Sequence, residues 1–193
     1  MLWLALGFFT CGILAYLFFP EFSRLFIKGV IAGIVDKFEL NTAIEPRKLM
    51  LLIFMQNFGA ITLALFFGFL LGIVPIIIIS FNAFFIGMLL IFVLGEFGLT
   101  KFLISLSLLF PHGIFEIPAL FIATGFGLRL GFFWKANATK PHAGKLNLRQ
   151  KLWLCLKENY QLLPLLFVLL FIAAFLEVFV TAGLLKFYFH SLP

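Results

Sequence analysis

Hydrophobic positions in this chain gather into long blocks, and the charges fall in the short stretches between them. Residues 2–19 form the first block, near the lower length limit for a helix that crosses a bilayer. Gly7, Cys11 and Ala15 recur there every four residues, which predicts a thin face for close helix contact. In residues 21–40 the polar Glu21, Arg24, Lys28, Asp36 and Glu39 fall near one stripe, while Phe22, Leu25, Phe26, Val30, Ile34 and Phe38 fill the rest. That pattern predicts a helix lying at the membrane surface; a connector trapped against the bundle fits it equally.

Arg47 and Lys48 precede a second block, 49–73, with a ladder of small residues at Ala60, Ala64, Gly68 and Gly72. A tight turn at 72–75 leads to a third, 76–94, which ends at Gly95-Glu96-Phe97-Gly98. So short a connection predicts an antiparallel helical hairpin. The last block, 162–189, follows a basic amphipathic stretch at 145–159 that reads as a second surface helix, with Leu148, Leu152, Cys155 and Leu156 opposite Arg149, Gln150 and Lys157.

Residues 99–134 do not fit a simple span. At 1.5 Å per residue they would reach about 50 Å against a hydrocarbon core of about 30 Å, too long for one crossing and too short for two. Pro111 marks a break, because it lacks an N–H and disfavours helical geometry at Phe110. Five Lys and Arg lie in 21–48 and six in 135–157, and the positive-inside rule puts both segments in the cytoplasm. An even number of crossings must then separate them, so 99–134 is expected to enter and return as a re-entrant hairpin. Pro111 and His112 mark its turning point, and Pro111, Gly113 and Pro118 are the residues assigned to the tip. Both chain termini are expected outside the cytoplasm.

Composition supports lipid as the solvent: 64% of the residues are hydrophobic, 11% are charged, and thirty are Phe. The fold class expected is all-α, a single-domain polytopic membrane bundle with the Pro-broken re-entrant hairpin and two surface helices. The net charge of +6 resides in juxtamembrane segments, which argues against a nucleic-acid partner. Cys11 and Cys155 belong to different environments and are expected as free thiols. The first block lacks a basic leader and a small-residue cleavage site, and reads as a retained helix.

The candidate chemistry lies in the last two blocks. Ionisable side chains inside a membrane are rare, which singles out His112, Glu116 and Glu177. His112, Glu116, Ala119, Ala123 and Gly127 share one helical face, and Glu177 shares another with Ala173, Ala174 and Thr181. Asn57 and Asn82 are further buried polar candidates. Asn57 reads best as glue to a neighbouring helix. Arg129 reads as an interfacial anchor or as partner to a buried carboxylate. The three ionisable groups admit a structural pair that fixes the fold, a path for ions, protons or lipid, or an intramembrane metal-dependent enzyme. No H-E-x-x-H and no G-x-S-x-G occurs, so no metal site, catalytic residue or cofactor is assigned.

The run Leu108-Leu109-Phe110-Pro111-His112-Gly113-Ile114-Phe115-Glu116-Ile117-Pro118-Ala119, with Gly127-Leu128-Arg129-Leu130-Gly131, resembles the signature of the stage II sporulation protein M family. Asn57, Asn82 with Gly87, and Ala173-Ala174-Phe175-Leu176-Glu177 match the same layout. The resemblance implies a small polytopic protein of bacterial or archaeal inner membranes. In the sporulating member it implies a scaffold for peptidoglycan-degrading partners. The expected function is therefore a non-catalytic scaffold binding membrane or envelope proteins, with homo-oligomers formed through the small-residue faces. The alternative is a small permease, channel or lipid translocator built on His112, Glu116 and Glu177.

Overall fold

The computed structural model describes residues 1–37, 45–69, 72–132 and 148–181, and these contain helices without strands. Helix α1 (Leu2–Phe18) is followed by α2 (Pro20–Lys37), and α3 (Pro46–Phe66) closes in a 3-10 turn at Phe67–Phe69. The long stretch Ile73–Gly131 contains one non-helical residue, Gly98, at φ 80° and ψ 176°. Only glycine enters that region without strain, so the helix divides there into α4 (73–97) and α5 (99–131). Helix α6 (Leu148–Phe175) ends in a π turn, Leu176–Thr181.

Local chemistry sets several of these limits. Pro20 and Pro46 open α2 and α3 at the helical position where a missing N–H does no harm. Pro20 also ends α1, since the residue before a proline resists helical geometry. The two helices meet at 118°, and the Ser23 hydroxyl donates to the Ala15 carbonyl at 3.1 Å in the last turn of α1. At 17 residues α1 is short for a bilayer, and it passes the length and apolarity expected of a span only together with α2.

Glycine contacts fix how the helices run. A Cβ on Gly12 would collide with the Phe84 carbonyl and one on Gly87 with the Phe9 carbonyl, while Tyr16 reaches Gly95, so α1 runs parallel to α4. One on Gly127 would meet the Ala64 carbonyl and Pro75, and one on Gly131 the backbone of Gly68 and Gly72. Thus α3 and α5 end beside the start of α4, and α5 runs back along α4 from Gly98. The Asn159 amide donates to the Leu65 carbonyl at 2.8 Å, which lays α6 antiparallel to α3. Phe54, Ile61 and Leu65 pack there against Ala119, Ala123, Leu166 and Leu170.

This arrangement corrects four expectations. First, α5 does not break at Pro111: both Pro111 and Pro118 lie inside it, and there is no re-entrant tip. A proline forfeits one hydrogen bond, whereas ending the helix in lipid would strand several backbone groups beyond the reach of water. Helix α5 is the longer arm of this antiparallel pair. From Leu99 to Gly127 α5 uses twenty-eight residues, and α4 uses twenty-two between Phe97 and Pro75. The six extra residues amount to about 9 Å, and prolines are where helices bend.

Second, three helices and not two separate the basic segments, so Arg47 and Lys48 lie at the Gly98 end of the bundle and Arg149 and Lys157 at the Gly72 end. For the same reason Met1 and Thr181 lie toward opposite ends. Third, the surface helix expected at 145–159 and the span expected at 162–189 are one helix as far as Thr181, because nothing between Asn159 and Leu162 interrupts it and Pro164 is absorbed; residues 182–189 of that span lie outside the described residues. Fourth, α1 meets α4 through Gly12, whereas Gly7 faces open space and Cys11 is exposed. The position of Gly87 on α4 selects the row one residue away from the expected ladder. The ladder on α3 does form contacts, at Ala64, Gly68 and Gly72.

Candidate functional site in the membrane interior

Helix α5 carries His112 and Glu116 between Pro111 and Pro118, and α6 meets it with the π turn that contains Glu177. A π turn inserts one residue into the helical repeat and is frequent at functional positions. Here the Thr181 hydroxyl spans the turn to the Leu176 carbonyl at 3.3 Å, and it also reaches the Leu108 carbonyl on α5 at 3.4 Å. Glu177 lies within electrostatic range of Glu116 on the neighbouring helix. His112, Glu116 and Glu177 are each partly buried. The Nδ1 atom of His112 is buried without a hydrogen-bond partner among the described residues, and the ring faces the Leu108 carbonyl one turn back.

The structure thus brings together the two carboxylates that the sequence placed on separate blocks. The remaining candidates lie apart. Asn82 donates to the Ile78 carbonyl of its own helix at 2.8 Å, and Asn57, partly buried on α3, makes no hydrogen bond to either carboxylate among the described residues. An interhelical bond of that kind is made by Asn159, which satisfies a carbonyl where α3 tightens into its 3-10 turn. Arg129 is exposed at the end of α5, pairs with Glu158 at 2.6 Å, and lies over the Phe126 ring at 5.7 Å. Thirteen residues, about 20 Å, separate it from Glu116, so it anchors the interface and does not partner the interior pair. Pro111, Gly113 and Pro118 form no tip: Gly113 is buried, and together with Pro118 and Phe110 it lines an outward apolar recess of about 440 Å³.

Among the described residues no three His, Cys, Asp or Glu side chains converge as metal ligands would. His112, Glu116 and Glu177 therefore do not form the three-ligand set that a metal-dependent enzyme would use. A second polar cluster was not legible in the sequence. At the Gly98 end the Tyr16 hydroxyl donates to Glu96 Oε1 at 2.8 Å, and Arg24 donates to the same oxygen through Nε and Nη2 at 2.7 Å each. Arg24 Nη1 also holds Glu21 at 2.7 Å. Tyr16 and Glu96 are eighty residues apart, and nothing in their local spacing announces the contact.

Long apolar helices, glycine-mediated crossings and basic residues gathered mainly between the apolar blocks define a multi-pass α-helical membrane protein. Residues 37–182 match the family model of stage II sporulation protein M. The chain belongs to that family. No curated protein and no solved structure matches it.

Proposed function

We propose that this chain is a non-catalytic membrane scaffold, a fixed bundle that holds other membrane or envelope proteins in place. The observation that carries this reading is packing at backbone distance. Gly12 and Gly87 seat α1 on α4, and Gly68, Gly127 and Gly131 seat α5 on α3 and the turn into α4, at places with no room for even a methyl group. Close-packed contacts of this kind admit few alternative arrangements, so the bundle keeps one shape. The scaffold role that the family resemblance implies for sporulating members agrees with that reading. Crosslinking in native membranes followed by purification in several mild detergents tests it. A discrete partner, or a second copy of the chain, is the expected product; recovery of the lone chain in every detergent overturns the proposal.

A second reading, passage of protons or small cations, rests on Glu116 and Glu177. Two carboxylates within electrostatic range of each other in a membrane interior are held at least cost when a proton or cation is shared in their neighbourhood. Flux in proteoliposomes, with wild type beside Glu116→Gln, separates the two readings. A scaffold conducts in neither form, whereas a pathway conducts in wild type and stops in the folded variant.

A further inference from the structure

Because α6 is continuous from Leu148, its first turns project beyond the apolar stretch that begins at Leu156. Arg149, Trp153, Lys157 and Tyr160 follow one another there at spacings of four, four and three residues and so share one face. All four are exposed, Trp153 and Tyr160 to 67% each. The stripe straddles the level at which the helix enters the membrane, where Trp and Tyr prefer to sit with one edge apolar and one wet. A groove of about 550 Å³ runs along this face, lined among the described residues by Arg149, Gln150, Trp153 and Leu156.

Charge at this end is one-sided. From Arg129 to Glu158 the sequence has seven Lys and Arg and one acid, Glu158 itself. Glu158 lies half a turn of the helical wheel away from Arg149 and is held by Arg129 on α5, so it does not neutralise the stripe. At the Gly98 end, by contrast, Glu21 and Glu96 already bind Arg24. Two cations one turn either side of an interfacial Trp, with Arg129 already taking up Glu158, the one acid nearby among the described residues, complement a negatively charged group at headgroup depth.

From this charge complementarity we infer that the Arg149–Trp153–Lys157 face of α6 is a binding site for anionic phospholipid headgroups, independent of the scaffold role. The test uses the full chain in mixed micelles containing equal amounts of phosphatidylglycerol and phosphatidylcholine, with bound lipid counted by native mass spectrometry. Wild type is expected to retain phosphatidylglycerol about tenfold over phosphatidylcholine at low salt and to lose the preference at about 1 M salt. The Arg149→Gln/Lys157→Gln variant should bring the ratio near parity, while Arg47→Gln/Lys48→Gln, which removes equal charge from the other end, should leave it intact. Parity in wild type overturns the inference and leaves an acidic protein segment as the occupant to seek. So does an equal loss in both variants, because the binding then reflects net charge and not this face.

Discussion

Glu96 at the edge of the bundle and the Glu116–Glu177 pair inside it are the same kind of side chain under opposite conditions. One oxygen of Glu96 gathers donors from Tyr16 and Arg24 on two other helices, whereas Glu116 and Glu177 are partly buried in the interior of the bundle. A carboxylate whose acceptor sites are filled by fixed donors works as a clip. One without such donors keeps its affinity for whatever small cation or proton can reach it. The comparison separates a structural role from a chemical one more sharply than burial alone, since the better-satisfied carboxylate is at the edge.

The largest effect should come from the crossing that holds α5 in place. Gly127→Leu drives a side chain into the Ala64 carbonyl and Pro75 and should destabilise the bundle by about 3 kcal/mol, read as melting in detergent. If that variant melts like wild type, α5 is not fixed relative to α3 and α4. Next, Glu116→Met/Glu177→Met replaces the interior carboxylates with apolar side chains of similar volume. It should leave stability unchanged or raise it by about 1–4 kcal/mol. A drop in melting temperature would put the interior pair in the same class as Glu96 and dissolve the contrast.

Tyr16→Phe removes one donor from Glu96 and should lower stability by about 1 kcal/mol. In a Glu96→Ala background the same substitution should have a much smaller effect, and a double-mutant cycle that proves additive would mean the clip is not one. Arg24→Gln comes last. Its side chain is 37% exposed, so the loss should be small at low salt and disappear at high salt.

The all-α bundle, the α3–α4 hairpin and the small-residue ladder on α3 were legible because each rests on composition or on short-range spacing. So was the shared face of His112 and Glu116, which follows from helical periodicity. The course of α5 was not. Pro111 is a strong breaker in water, but in lipid the alternative to a bent helix is an array of unsatisfied backbone groups, and that reverses the balance. One wrong crossing then inverted the sidedness of every segment after it. On α1, Gly12 was passed over for Gly7 because both are small; the choice depends on Gly87, seventy-five residues later. Glu96 was legible as part of a turn and illegible as a clip, since its donors lie on α1 and α2.

The single-residue joint at Gly98 also constrains how the protein is made. Between α4 and α5 there is no loop to thread through the bilayer: the polar cargo at the turn is Glu96 and Lys101, and the chain reverses within one residue. A joint this tight predicts that α4 and α5 insert as one hairpin, and glycosylation mapping of chains truncated after Gly98 and after Gly131 would check it. In the folded bundle the reversal is held from outside itself, by Tyr16 and Arg24 on the two preceding helices.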